Sequence, residues 1–178
     1  MEKIDLNDYI SDKSTLIYIF LDVDGVLNSE NYIIKCYKKH HKPMHMNHVP
    51  FDPKCLNNLM LLVQALEKHT LKNVKIILSS TWRLHNIDYE IVDARLAEYG
   101  LGLQGKTPYM DGVRGKEIWN YLESQRYKCY NFVILDDDIN DIVPYFPDNL
   151  FRTNFKTGFT KDCLNEVLKF FDIEEEIK

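Results

Sequence analysis

Two stretches of this chain crowd carboxylates together. Residues 22–25 read Asp-Val-Asp-Gly, and residues 136–138 are three aspartates in a row, followed by Asp141. If Asp22, Asp24 and Asp137 meet in one cleft, they cannot all ionise without a cation, because each negative charge raises the cost of the next. A hard, oxygen-seeking ion resolves the conflict, and Mg²⁺ is the expected one. Aspartate is also a common turn and cap residue, so Asp-Val-Asp-Gly alone is equally consistent with a turn. A third polar cluster, Ser79-Ser80-Thr81-Trp82-Arg83, adds hydroxyls and a guanidinium.

What joins the three clusters is that each stands directly behind an apolar run. Residues 15–21, 74–78 and 131–135 are rich in Ile, Leu, Val and Phe and read as strands buried on both faces; 150–153 is a weaker fourth. Helical patterns lie between and after them, at 53–68, 87–99, 116–127 and 160–171. Asp52 before Pro53 and Thr160 are candidate N-caps, and Gly100 is a candidate stop. Strands alternating with helices predict an α/β, Rossmann-like fold: a central parallel sheet flanked by helices, in one domain over residues 1–178. No interval between the clusters has room for a large cap domain. Ligands of such sheets bind outside the carboxyl ends of the strands, so all three clusters should face one crevice.

The stretch 28–51 shows no periodicity and reads as irregular, giving a lid-like loop at 28–52. It carries Lys35, Lys38, Lys39 and Lys42 with His40, His41, His45 and His48. Those histidine spacings match no standard zinc site. The run is either a solvated connector or a substrate-facing loop. Trp82 and Arg83 likewise have two readings: contacts to a substrate, or packing and capping of the next helix.

Composition narrows the class. Hydrophobic residues make up 45% of 178, enough for a core and against extensive disorder. A formal charge of −5 repels polyanions on average, which disfavours a general nucleic-acid coat protein. Cys36, Cys55, Cys129 and Cys163 form no CxxC pair and read as reduced thiols. Residues 1–15 do not resemble a signal peptide, and no apolar run is long enough to span a bilayer. A cytoplasmic protein without a membrane partner is expected.

The motifs also carry a resemblance. Phe20-Leu21-Asp22-Val23-Asp24-Gly25-Val26-Leu27-Asn28 resembles the first motif of the haloacid dehalogenase (HAD) superfamily. Ile76-Ile77-Leu78-Ser79 resembles its second motif, and residues 136–141 its fourth. The Ser79–Arg83 cluster, Arg114-Gly115-Lys116-Glu117-Ile118 and the aspartate triplet together resemble the HAD domains found in RNA-repair proteins.

The resemblance implies a Mg²⁺-dependent phosphohydrolase that acts on a phosphate monoester through an aspartyl-phosphate. Asp22 would be the nucleophile, and Asp24 the general acid and then the base for water. Ser79 and the Ser80 amide would bind a phosphoryl oxygen. The metal would take Asp22, the Asp24 carbonyl and a carboxylate from the third strand: Asp137 supported by Asp141, or Asp136 with Asp137. Arg114 or Lys116 would supply the cation facing the phosphate. The partner would be a phosphorylated small molecule or a nucleic-acid end. Alternatives are a nucleotide or polynucleotide-end phosphatase and a non-catalytic phosphate-binding module. Dehalogenation is disfavoured by the carboxylate of Asp24.

Overall fold

The computed structural model describes residues 16–40, 50–125 and 131–175. The segment 1–15, His41, Lys42, His45, His48, Cys129, Glu176 and the far end of the 116–127 helix lie outside them. Strand β1 (Leu16–Leu21) is the middle of a five-stranded parallel sheet with order β3-β2-β1-β4-β5. Its neighbours are β2 (Asn73–Leu78) and β4 (Asn131–Asp136); β3 (Leu103–Lys106) and β5 (Leu150–Arg152) form the edges. Five α-helices flank it: α1 (Glu30–His40), α2 (Pro53–Thr70), α3 (Asn86–Ala97), α4 (Arg114–Ser124) and α5 (Lys161–Phe170). This is a Rossmann-like α/β fold.

The alternation of β1 builds two cores. Ile17, Ile19 and Leu21 face Leu59 and Leu66 of α2, Val92 and Leu96 of α3, and Leu164 and Val167 of α5. Tyr18 and Phe20 face the other way, onto Ile118 and Leu122 of α4 and onto Phe132 and Phe146. Because both faces are covered, the strand is apolar at every position.

Register matters most for function. Leu21 pairs with Leu78 on one side and Leu135 on the other. The first residues past this level are therefore Asp22, Ser79 and Asp136. Ser79 N donates to Leu21 O at 2.8 Å, and Asp22 N donates to Leu135 O at 3.1 Å. The three polar clusters are held side by side by the sheet ladder itself.

Two elements differ from the sequence expectation. Residues 30–40 of the stretch read as irregular form α1. Its half-buried apolar residues, among those described, are Tyr32, Ile33 and Cys36, so no broad apolar stripe advertises it. Ser29 Oγ caps it from Tyr32 N at 3.3 Å. Its first amides donate to the carbonyls of Phe155 and Lys156 at 2.9 and 3.2 Å, so tertiary contacts support the helix start. Edge strand β3 was not legible either: it is Leu-Gln-Gly-Lys, with alternate residues exposed and a register irregularity opposite Ile76 and Ile77. Thr160 does cap α5, from Cys163 N at 3.3 Å, and Asp52 caps α2, from Lys54 N at 3.0 Å.

Candidate active site

Asp22 is the first residue beyond β1 and is only 5% exposed. The chain then turns sharply, with the amides of Val26, Leu27 and Asn28 all donating to Val23 O. Gly25 sits in the turn at φ 75°, and a Cβ there would lie 2.6 Å from Asp137 Cγ. A side chain at position 25 would thus be strained and would push Asp137 away. This glycine lets the aspartate triplet close over the first motif.

Asp22, Asp136 and Asp137 each present an oxygen within 4.8 Å of the others, a group able to hold a metal ion. Both oxygens of Asp136 already accept bonds, Oδ1 from Asp138 N at 3.0 Å and Oδ2 from Arg114 Nη1 at 2.5 Å. Asp137 is half-buried beside Gly25. Asp141, expected among the ligands, is not in this group: its Oδ2 accepts the Arg114 amide at 2.5 Å and fixes the start of α4. The Asp24 carboxylate also stands outside it, accepting from Asn28 Nδ2 at 2.7 Å and Trp82 Nε1 at 2.9 Å.

Of the two candidate cations, only Arg114 touches the carboxylate cluster among the described residues. Arg114 Nη1 reaches Asp22 Oδ1 at 2.9 Å as well as Asp136 Oδ2. Lys116 is exposed and makes no such contact among the described residues. Gly115 explains how the helix comes so near: a Cβ there would lie 2.4 Å from Asp141 O and from the Tyr145 ring.

Ser79 and Ser80 are buried at the end of β2. Among the described residues, Ser79 Oγ and Thr107 Oγ1 are buried hydroxyls without a hydrogen-bond partner. Such groups are costly unless something arrives to bond them. Thr107 follows β3, and its amide donates to Leu78 O at 3.0 Å. No sequence signal marked it, because β3 itself was not legible.

Arg83 is buried beneath the site. Expected as a substrate contact or a packing residue, it has its donors engaged inside the fold: Nε and Nη1 donate to Thr107 O and Ser80 O, and Nη2 pairs with Glu117 Oε2 at 2.5 Å. Both side chains are almost fully buried, at 3% and 2% exposure. Burial lowers the pKa of Arg83, and the charge of Glu117 opposes that shift. Arg83 therefore ties the turn Thr81–Leu84 to α4. Glu117→Ala should cost about 3–5 kcal/mol of stability by stranding a buried guanidinium. Equilibrium denaturation measures it; a loss under about 1 kcal/mol would show that the pair behaves as a surface ion pair.

Burial pushes Asp22 up from 3.8 to about 6, against the opposing charge of Arg114. Burial and then the charge of Asp22 push Asp136 to about 7. Asp137 is raised by burial too. Burial would depress Arg114, but Asp22 and Asp136 outweigh it and hold the guanidinium above its ordinary value. Without metal, the folded state keeps protons that the unfolded chain releases near 3.8. Its stability contribution from these groups is full below that value and is lost as pH rises through about 6 to 7. Mg²⁺ should therefore raise the melting temperature more above pH 7 than below pH 6, where protons compete for the same oxygens. Melting curves with Mg²⁺ and with chelator test this; a pH-independent shift would contradict it.

A family model described as the HAD domain in Swiss Army Knife RNA repair proteins matches residues 18–164. The chain belongs to this family. The matched HAD domain runs from β1 into α5 and contains Asp22, Asp24, Ser79, Arg114 and the whole aspartate cluster. A search of curated proteins finds no match. Among the described residues of the HAD domain, no helix is long and apolar enough to cross a membrane.

Proposed function

We propose that this HAD domain is a Mg²⁺-dependent phosphatase acting on phosphate monoesters through a phosphorylated Asp22. The observation that carries the reading is the cluster of Asp22, Asp136 and Asp137 with Arg114 bonded to two of its members. The donor set is all carboxylate, which suits a hard divalent ion, with Asp22 and Asp137 as the protein ligands. When bound, such an ion would neutralise negative charge on the phosphoryl group.

The chain's own residues do the rest. A carboxylate oxygen of Asp22 forms a bond to phosphorus as the ester P–O bond breaks. Asp24 gives its proton to the departing oxygen. Arg114 balances negative charge beside Asp22, and Ser79 Oγ, which has no bond to give up, donates to a phosphoryl oxygen. Asp24 then takes a proton from water as water attacks phosphorus, releasing phosphate and restoring Asp22.

A phosphate-binding module without turnover would need no acid, so the fixed Asp24 favours an enzyme. Lys35, Lys38 and Lys39 are exposed on α1, and the family description names RNA repair proteins. Both favour a nucleic-acid end as the phosphorylated partner. Comparing an end-phosphorylated oligonucleotide with a small aryl phosphate in one assay separates that reading from a small-molecule phosphatase. The free thiols of Cys36, Cys55 and Cys163 suit a reducing compartment such as the cytoplasm. Hydrolysis of an aryl phosphate should require added Mg²⁺ and stop on chelation. Full activity in excess chelator would overturn the metal-dependent reading.

A further inference from the structure

We infer that Trp82 and Asn28 are positioning residues that lock the Asp24 carboxylate in the orientation from which it protonates the leaving group. The inference rests on the phosphatase reading above. A carboxylate on a half-buried turn is free to rotate unless something holds both of its oxygens. Here something does. Asn28 Nδ2 donates to Oδ1 at 2.7 Å, and Trp82 Nε1 donates to Oδ2 at 2.9 Å.

Neither donor is free to turn away. Asn28 is fully buried, and its own Oδ1 accepts the Gly25 amide at 3.0 Å. That bond fixes which end of the side chain carries the NH₂ group. The Trp82 ring packs edge-on against Phe51, with centroids 5.7 Å apart and planes at 72°. Phe51 is anchored in turn, because Asp52 N donates to Leu27 O at 2.8 Å and Ser29 Oγ donates to Asp52 Oδ2 at 2.9 Å. On the other side of Trp82, buried Arg83 holds the Thr81–Leu84 turn.

The chemistry follows from counting lone pairs. An indole nitrogen only donates, and each carboxylate oxygen has two acceptor positions. With one position on each oxygen taken, the acidic proton is confined to the remaining ones. The carboxyl group is pre-aimed, which lowers the cost of reaching the geometry for proton transfer as the P–O bond breaks. Nothing in the sequence signals this contact, since Trp82 and Asp24 are 58 positions apart.

Trp82→Phe keeps an aromatic ring on Phe51 and removes the donor. The experiment measures kcat and KM with Mg²⁺ for wild type, Trp82→Phe and Asp24→Asn, across esters from p-nitrophenyl phosphate to glycerol phosphate. Good leaving groups need little protonation, whereas alkoxides need it most. The Trp82→Phe loss should appear in kcat/KM, which reports the step that expels the leaving group, and grow with leaving-group basicity. It should be roughly ten-fold or more on the alkyl ester, with Asp24→Asn showing the same trend more strongly. A loss of equal size on every ester, or none, overturns the positioning role. If Asp24→Asn itself shows no such trend, the assignment of Asp24 as the acid has failed instead, and the positioning role falls with it. Trp82→Met, which also lacks the donor and fills an irregular space, carries the same comparison if the phenylalanine variant does not fold.

Discussion

Asp22→Asn should abolish turnover and leave the protein folded. The amide has nearly the shape of the carboxylate, so the turn at residues 23–28 and the sheet bond from Asp22 N to Leu135 O are retained. What is lost is the nucleophile. The amide also relieves a like-charge contact with Asp136, whose ionisation the charge of Asp22 opposes. Arg114 keeps its bond to Asp136 Oδ2. The melting temperature without metal should therefore be equal to or above that of the wild type, while kcat falls by several orders of magnitude. Retention of a tenth of the wild-type rate in a purified, metal-loaded variant would exclude the covalent route.

Arg114→Ala should be the second most damaging change. The guanidinium is 18% exposed, touches two carboxylates and stands at the amino end of α4. A fixed cation beside a transferring phosphoryl group contributes about 2–4 kcal/mol by comparison with other preorganised electrostatic groups. Steady-state kcat/KM should fall accordingly, with Arg114→Lys recovering part of the loss because charge is kept and the planar fork is not. Lys116→Ala, at an exposed position, should cost well under about 1 kcal/mol. The reverse ranking would transfer the role to Lys116.

That pair shows where the sequence stops being legible. Residues 114 and 116 are two apart, so on a helix they point roughly 200° away from each other, and only one can face the site. Which one does depends on how α4 is rotated. That is set by Asp141 holding the Arg114 amide and by Gly115 lying against Asp141 O and Tyr145. Those are contacts between distant segments that no local pattern encodes. Arg83 was ambiguous for the same reason, because its partner Glu117 lies 34 positions away.

The strands that matter were legible for a physical reason. β1, β2 and β4 are the three central strands, and their buried parts are apolar runs, interrupted in β2 by the half-buried Lys75, that end abruptly in Asp22, Ser79 and Asp136. Edge strand β3 is covered less and spells Leu-Gln-Gly-Lys, which took Thr107 out of view with it. Helix α1 was missed because its stability comes from Ser29 and from the 155–156 carbonyls rather than from a wide apolar face. The carboxylate cluster was foreseeable, and Asp22 with Asp136 and Asp137 is one of the two ligand sets the motifs implied. What no local pattern encodes is that Asp141 holds the start of α4 and that the Asp24 carboxylate meets Trp82.

The central claim is that Asp22 carries the phosphoryl group. The most direct measurement is to quench the metal-loaded enzyme during turnover of an aryl phosphate, reduce it with borohydride, and sequence the peptides by mass spectrometry. Borohydride converts an acyl phosphate to the corresponding alcohol and leaves a free carboxylate alone. The account predicts homoserine at position 22, dependent on substrate and absent without it. An unmodified Asp22 in enzyme shown to be turning over, or homoserine at Asp24, Asp136 or Asp137 instead, would contradict it.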